Sequence, residues 1–144
     1  MEQTTTEKLL RECDAGAKMA ISAIDEVVEK AESEELIRIL KESKTLHKKI
    51  LEDINQLLVE EKCDEKEPSP MAKSMSWMKS NLMLSMDHSD ETIADLITDG
   101  CSMGIKSLYK YSNQYTDARP EARSICEKLI RLEETLRQDM RDYL

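Results

Sequence analysis

The apolar residues of this chain recur at spacings of three and four along four separate stretches, the period of an α-helix that buries one face. A residue typical of a helix start precedes each stretch. The hydroxyl groups of Thr4, Ser33 and Ser89 can cap the first three helices, and Pro120 fits the first turn of the fourth. We therefore predict four long helices.

Residues 60–70 interrupt this pattern, because they are polar, lack apolar periodicity and contain two prolines. Ser69 followed by Pro70 is a typical start for one further helix. We predict a single helical domain over residues 1–144. It comprises a first hairpin at 4–60, a linker at 61–68, a crossover helix at 69–87 and a second hairpin at 89–144.

The composition agrees with an all-α protein and narrows the classes of partner. The chain of 144 residues has no Phe, three Gly and three Pro, so it offers little for strands or turns. Its net charge of -9 disfavours nucleic acids and anionic membranes, which bind mainly through clustered Lys and Arg. No segment looks like a signal peptide or a membrane span, so we expect a cytoplasmic protein without membrane contact.

Four cysteines include no pair at the C-x-x-C spacing of zinc ribbons and redox motifs. Three of them, Cys13, Cys101 and Cys126, lie on predicted apolar faces and are expected to be buried free thiols. Cys63 falls in the polar linker and is expected to be exposed.

The two predicted hairpins share a sequence pattern. Cys13-x-x-Gly16-x-Lys18 in the first helix matches Cys101-x-x-Gly104-x-Lys106 in the third, 88 residues later. The apolar positions of the second and fourth helices match at an offset of 86. Because Gly in a helix interior costs about 1 kcal/mol relative to Ala, we predict that the first and third helices cross closely near Gly16 and Gly104, about a pseudo-twofold axis.

Two hairpins joined by a long crossover resemble the ferritin-like superfamily. The closest resemblance is to uncharacterised bacterial ferritin-like proteins, in which a small residue, here Gly104, precedes a run like that at 105–111. Their crossover helix contains a tryptophan, here Trp77. The resemblance implies a ferritin-like four-helix bundle of two repeated αα-hairpins.

Metal-binding members of that superfamily carry two Glu residues and two Glu-x-x-His motifs. The corresponding positions here read Lys44-x-x-His47 and Ile130-x-x-Glu133. We therefore expect no di-iron centre, and neither ferroxidase nor peroxidase activity.

One unorthodox metal site is conceivable. His47 and Glu133 lie beside Leu46 and Leu132 of the predicted buried faces, at about the level of Cys13 and Cys101. Two thiols, an imidazole and a carboxylate could bind zinc. In the alternative interpretation, the cysteines are small core residues, while His47 and Glu133 lie at the core margin, where they reach solvent or hydrogen-bond each other.

The predicted crossover helix is rich in methionine. One face carries five apolar residues: Met71, Met75, Met78, Leu82 and Met86. Copper(I) binding is an alternative for these methionines, but packing against the bundle is the commoner role. Trp77, Met83 and Leu84 lie away from that face and predict a subunit or partner interface.

The sequence thus indicates a non-catalytic bundle that acts by homo-oligomerisation or by binding a protein partner. No cofactor and no enzymatic activity are expected. The alternative is a ferritin-like protein that binds zinc or iron through non-standard ligands.

Overall fold

The computed structural model describes residues 3–63 and 87–144, and these ranges are helical with no strand. The helices are α1 (Thr5–Val28), α2 (Glu34–Glu60), α3 (Asp90–Gln114) and α4 (Pro120–Asp139). A short 3-10 turn, Met140–Tyr143, follows α4. The predicted all-α, four-helix architecture is confirmed. Most of the predicted linker and crossover helix lies outside the described residues.

The predicted helix starts are confirmed by their hydrogen bonds. The Glu7 amide donates to Thr4 Oγ1 at 3.0 Å, and Ser33 Oγ accepts from the Leu36 amide at 3.2 Å. Ser89 caps α3 through the Thr92 amide at 3.3 Å. Pro120 occupies the first turn of α4, where its missing N–H costs nothing. Local side chains thus satisfy amides that the first turns leave unpaired.

The end of α2 uses a residue that the sequence does not single out. Lys62 adopts a φ of 57°, in the left-handed region that usually takes glycine. This conformation lets the Cys63 amide donate to the Leu58 carbonyl and the Lys62 amide to the Val59 carbonyl, both at 3.0 Å. The last carbonyls of α2 are therefore satisfied before the chain leaves the helix.

The helices pack as two hairpins, α1 with α2 and α3 with α4, and the hairpins lie against each other. At one end, the Asp90 carboxylate accepts from the amides of Glu32 and Ser33, both at 2.9 Å. At the other end, Arg119 donates to Glu61 at 2.9 Å. These contacts make α3 antiparallel to α1 and α4 antiparallel to α2.

A single apolar core fills the space between the four helices. Its largest fully buried side chains are Leu9, Leu10, Ile24, Leu36, Leu40, Ile54, Ile93, Leu129 and Met140. Cys13, Cys101 and Cys126 are buried, as predicted. Cys63 differs from its prediction, because it is partly buried against the edge of this core instead of exposed.

The predicted buried face of α2 is wrong at one position. Leu46, assigned to the core, is 50% exposed, and the neighbouring His47 is 0% exposed. The same shift occurs in α4, where Leu132 is only partly buried and Glu133 is buried. The core of the bundle therefore contains a polar pair that the sequence placed at its margin.

None of the helices in the described ranges is long and apolar enough to cross a membrane.

Candidate functional site

His47 and Glu133 meet in the middle of the bundle. His47 projects from α2 and Glu133 from α4, and their exposed fractions are 0% and 5%. The His47 Nε2 atom lies 2.8 Å from Glu133 Oε1. The sequence allowed either a metal site or a pair at the core margin that reaches solvent or forms a hydrogen bond. The structure shows the hydrogen bond, but in the core and not at its margin.

The hydrogen bonds of His47 fix the position of one of its ring protons. Its Nδ1 atom is 2.7 Å from the Ser43 carbonyl oxygen, and because a carbonyl only accepts, Nδ1 must carry a hydrogen. On the other side, either Nε2–H donates to an ionised Glu133 or a protonated Glu133 donates to a neutral ring. The pair has no net charge in either form, which is how a polar group is tolerated in a core.

Cys101 lies beside this pair. Burial raises the pKa of the Cys101 thiol well above its ordinary value, and the charge of the neighbouring Glu133 and a hydrogen bond to that carboxyl group raise it further. The thiol is therefore protonated at neutral pH and is a poor nucleophile, since the thiolate is the reactive form.

Cys13 belongs to a different contact. It hydrogen-bonds the buried Cys126, and this bond, followed by burial, raises the pKa of Cys13. Cys126 Sγ in turn donates to the Leu108 carbonyl at 3.7 Å. The structure therefore places Cys101 next to Glu133, whereas Cys13 contacts another thiol.

Metal coordination by these four residues was the alternative interpretation drawn from the sequence. Across residues 3–63 and 87–144, no group of three or more His, Cys, Asp or Glu side chains is arranged to hold a metal ion. The four residues do not form a single cluster, because Cys13 contacts Cys126, whereas His47 and Cys101 each hydrogen-bond Glu133.

A cavity of about 360 Å³ lies between α1 and α3. Small residues on the two facing helices leave this space open: Ala15, Gly16, Ala20, Ala23, Gly100 and Gly104. Larger apolar side chains complete the wall: Met19, Ile24, Ile97, Met103, Leu108 and Leu136. Cavities of this volume with apolar walls are typical of small-molecule sites.

The two glycines line this cavity and do not bring helix backbones into contact. A Cβ atom added at Gly16 would meet only the side chains of Leu129 and Leu108, at 3.8 and 3.9 Å. One added at Gly104 would meet only the Glu133 carboxyl group, at 3.9 Å. The predicted close approach of backbones at Gly16 and Gly104 is therefore corrected: the missing side chains leave volume for the cavity.

Two groups of polar side chains border the cavity at different levels. Glu133 and Cys101 lie near Gly104, and Glu12 and Tyr111 lie near one end. Glu12 and Tyr111 hydrogen-bond each other. Burial raises the pKa of Glu12, an effect that the Tyr111 hydrogen bond opposes. Burial also raises the pKa of Tyr111, and the nearby Glu12 charge adds to this effect.

Comparison of the chain with protein-family models, with curated proteins and with solved structures found no match in any of the three. The ferritin-like resemblance and the internal repeat therefore stay predictions.

The cavity was not predicted from the sequence, although its signal was present. Gly16 and Gly104 were recognised as unusual, but small side chains permit either a close crossing or an open space. Only the separation of the two helices decides between these outcomes. Trp77, Met83 and Leu84, the predicted interface, lie outside the described residues, and their role also stays a prediction.

Proposed function

We propose that this protein is a non-catalytic four-helix bundle that binds a small, largely apolar ligand in the cavity between α1 and α3. The cavity is the observation that carries the proposal. The cavity is partly open to solvent, because Gly16 and Gly104 are only partly buried and Met103 is 49% exposed. A space of about 360 Å³ with apolar walls and three mid-helix glycines, Gly16, Gly100 and Gly104, has the size and lining of a small-molecule site.

The shape of the cavity favours a chain-like ligand. Its wall includes Ile97 at one end and Tyr111 at the other, both on α3. At about 1.5 Å of rise per helical residue, these positions are roughly 20 Å apart along the helix. A volume of about 360 Å³ spread over such a length is narrow, which suits an extended alkyl chain.

The reactive groups near the cavity support binding without catalysis. Glu133 is held by His47 at 2.8 Å, and the raised pKa of Cys101 keeps its thiol protonated. Neither group is poised as a free base or nucleophile toward the cavity. This agrees with a bundle that acts by binding and not by catalysis, although the binding predicted from the sequence was oligomerisation or contact with a protein partner.

The His47–Glu133 contact also supports the proposed repeat. The two residues are 86 residues apart, the offset that aligns the second and fourth helices. Equivalent residues meet each other when they lie on a twofold axis. We infer that the proposed pseudo-twofold axis passes through this hydrogen bond, an arrangement compatible with a ferritin-like bundle.

Calorimetric titration with decanol tests the proposed function. Decanol offers an alkyl chain with an uncharged head, so its binding reports on the cavity alone. We expect saturable binding of one molecule per chain. Gly104→Leu should abolish it, because nothing but the Glu133 side chain lies within 4 Å of the new Cβ and the remainder of the leucine would fill the cavity.

Gly104→Ala is the matched control, since a single methyl group makes only ordinary contacts there and should leave decanol binding within about three-fold of wild type. Equal binding by the leucine variant would contradict the proposal. So would no binding to the wild-type protein, which would leave the cavity to another occupant, including the chain's own residues 64–86.

A further inference from the structure

The charged side chains on the cavity wall, among the residues that the structure describes, are all acidic. They are Glu12 and Glu133, and no Lys, Arg or His of residues 3–63 and 87–144 belongs to this wall. A ligand with a carboxylate head would therefore lose part of its hydration and meet the like charge of Glu12. The wall discriminates against fatty acids and favours ligands with a positive or hydrogen-donating head.

Glu133 does not favour the binding of a cation. His47 hydrogen-bonds its Oε1 atom at 2.8 Å, and the Cys101 thiol hydrogen-bonds the same carboxyl group. Because His47 and Glu133 together carry no net charge, a cation beside Glu133 would gain little Coulomb energy. It would also have to be dehydrated deep in the bundle.

Glu12, in contrast, favours the binding of a cation. Its neighbour across the cavity is Tyr111, whose hydroxyl group supplies a hydrogen bond but no positive charge. Glu12 is only partly buried, so a charged head placed against it can keep part of its hydration. It also lies at one end of the cavity, from which an alkyl chain can extend past Gly16 and Gly104 toward Ile97.

We propose that the cavity selects aliphatic amines, with the ammonium head paired to the Glu12 carboxylate and the alkyl chain lying between α1 and α3. The inference rests on the proposed function, because it names the ligand class of the same cavity. The net charge of -9 acts in the same direction, since it attracts cations and repels carboxylate ligands at long range.

Titration with three probes of equal chain length tests this selectivity: decylamine, decanol and decanoate at neutral pH and low salt. We expect decylamine to bind at least about ten-fold more tightly than decanol, which corresponds to roughly 1.4 kcal/mol. Decanoate should bind more weakly than decanol. Raising the salt concentration should reduce the advantage of the amine, because the Glu12 site is partly exposed.

Glu12→Gln keeps the size of the side chain and removes its charge, so it should remove the advantage of decylamine over decanol. Asp99→Asn is the matched control. Asp99 is exposed on α3 and does not line the cavity, yet its substitution changes the net charge by the same amount. This variant should keep the ten-fold preference.

The outcomes separate the two proposals. If decanol binds but decylamine has no advantage, or if Glu12→Gln keeps the full preference, the amine proposal is wrong and the cavity remains a binding site. If decanoate binds most tightly, the amine proposal is also wrong. If no probe binds, the proposed function fails together with this inference.

Discussion

His47 has both ring nitrogens in hydrogen bonds at a position that solvent does not reach. Replacing it by alanine would leave the buried Glu133 carboxyl group without this partner and would open a hole in the core. Breaking a buried pair in this way costs about 3–5 kcal/mol. We therefore expect His47→Ala to lower the free energy of unfolding, measured by urea denaturation, by about that amount.

Leu46→Ala is the internal control for this prediction. Leu46 is adjacent in sequence but 50% exposed, so its truncation should change the unfolding free energy by no more than about 0.5 kcal/mol. The double substitution His47→Leu with Glu133→Leu should recover most of the loss, because apolar residues of similar volume replace buried pairs well. A cost from Leu46→Ala larger than that from His47→Ala would contradict the assigned core.

The rate at which the Cys63 thiol reacts with a labelling reagent should depend strongly on pH. Burial raises the pKa of its thiol to about 11, and the charge of Glu7 contributes in the same direction. The thiolate fraction is therefore very small at pH 7 and increases about ten-fold for each pH unit up to the pKa. Labelling of the native protein with a thiol reagent should be slow at pH 7 and about 100-fold faster at pH 9.

Cys63→Ser should remove this labelling, because Cys13, Cys101 and Cys126 are buried. A rate that levels off between pH 7 and pH 9 would show that the thiol is more acidic than this account holds.

The burial of His47 could have been found in the sequence by strict counting. Spacings of four and three alternate along the buried positions of α2 as far as Ile54, and a further spacing of four follows: Leu36, Leu40, Ser43, His47, Ile50, Ile54 and Leu58. Leu46 breaks this spacing, but its hydrophobicity favoured it over a histidine. Counting could not have identified Glu133 as the hydrogen-bond partner of His47, since the two residues are 86 positions apart in the sequence.

Among the secondary structure elements, the helix starts were predictable because their determinants are local. The hydroxyl groups of Thr4, Ser33 and Ser89 act within three residues of their own position. The end of α2 was harder to place, because Lys62 occupies a left-handed conformation without being glycine. In the sequence, only the polar run that follows indicated that the helix ends there.

Alanine substitutions at Gly16 in α1 and Gly104 in α3 test how closely these two helices pack. Because an added Cβ at Gly16 meets side chains only at 3.8 Å or more, alanine fits without displacing a neighbour. Alanine is also a better helix former than glycine by about 1 kcal/mol. We expect Gly16→Ala to raise the free energy of unfolding by up to about that amount in urea denaturation.

Gly104→Ala should act in the same direction, since its nearest neighbour is the Glu133 carboxyl group at 3.9 Å. Destabilisation of more than about 1 kcal/mol by either variant would instead indicate a tight helix crossing, the arrangement that the sequence alone suggested.

At the scale of the whole molecule, the four helices follow from apolar periodicity, which each segment carries by itself. The volume of the cavity does not follow in this way, because it depends on the distance between α1 and α3, which is set by the packing of α1 against α2 and α4 and of α3 against α4. Ala20 and Gly104 are small, but their size alone does not say whether a neighbouring helix fills the space. This is why the fold class could be predicted and the candidate site could not.

The central claim is that the space between α1 and α3 holds a ligand, and methionine methyl resonances test it most directly. Met19 and Met103 line the cavity, and Met140 is fully buried but does not line it. With ¹³C-methyl-labelled methionine, saturating decanol should shift the Met19 and Met103 signals and leave the Met140 signal in place. Unchanged Met19 and Met103 signals, or a shift at Met140 alone, would contradict the account.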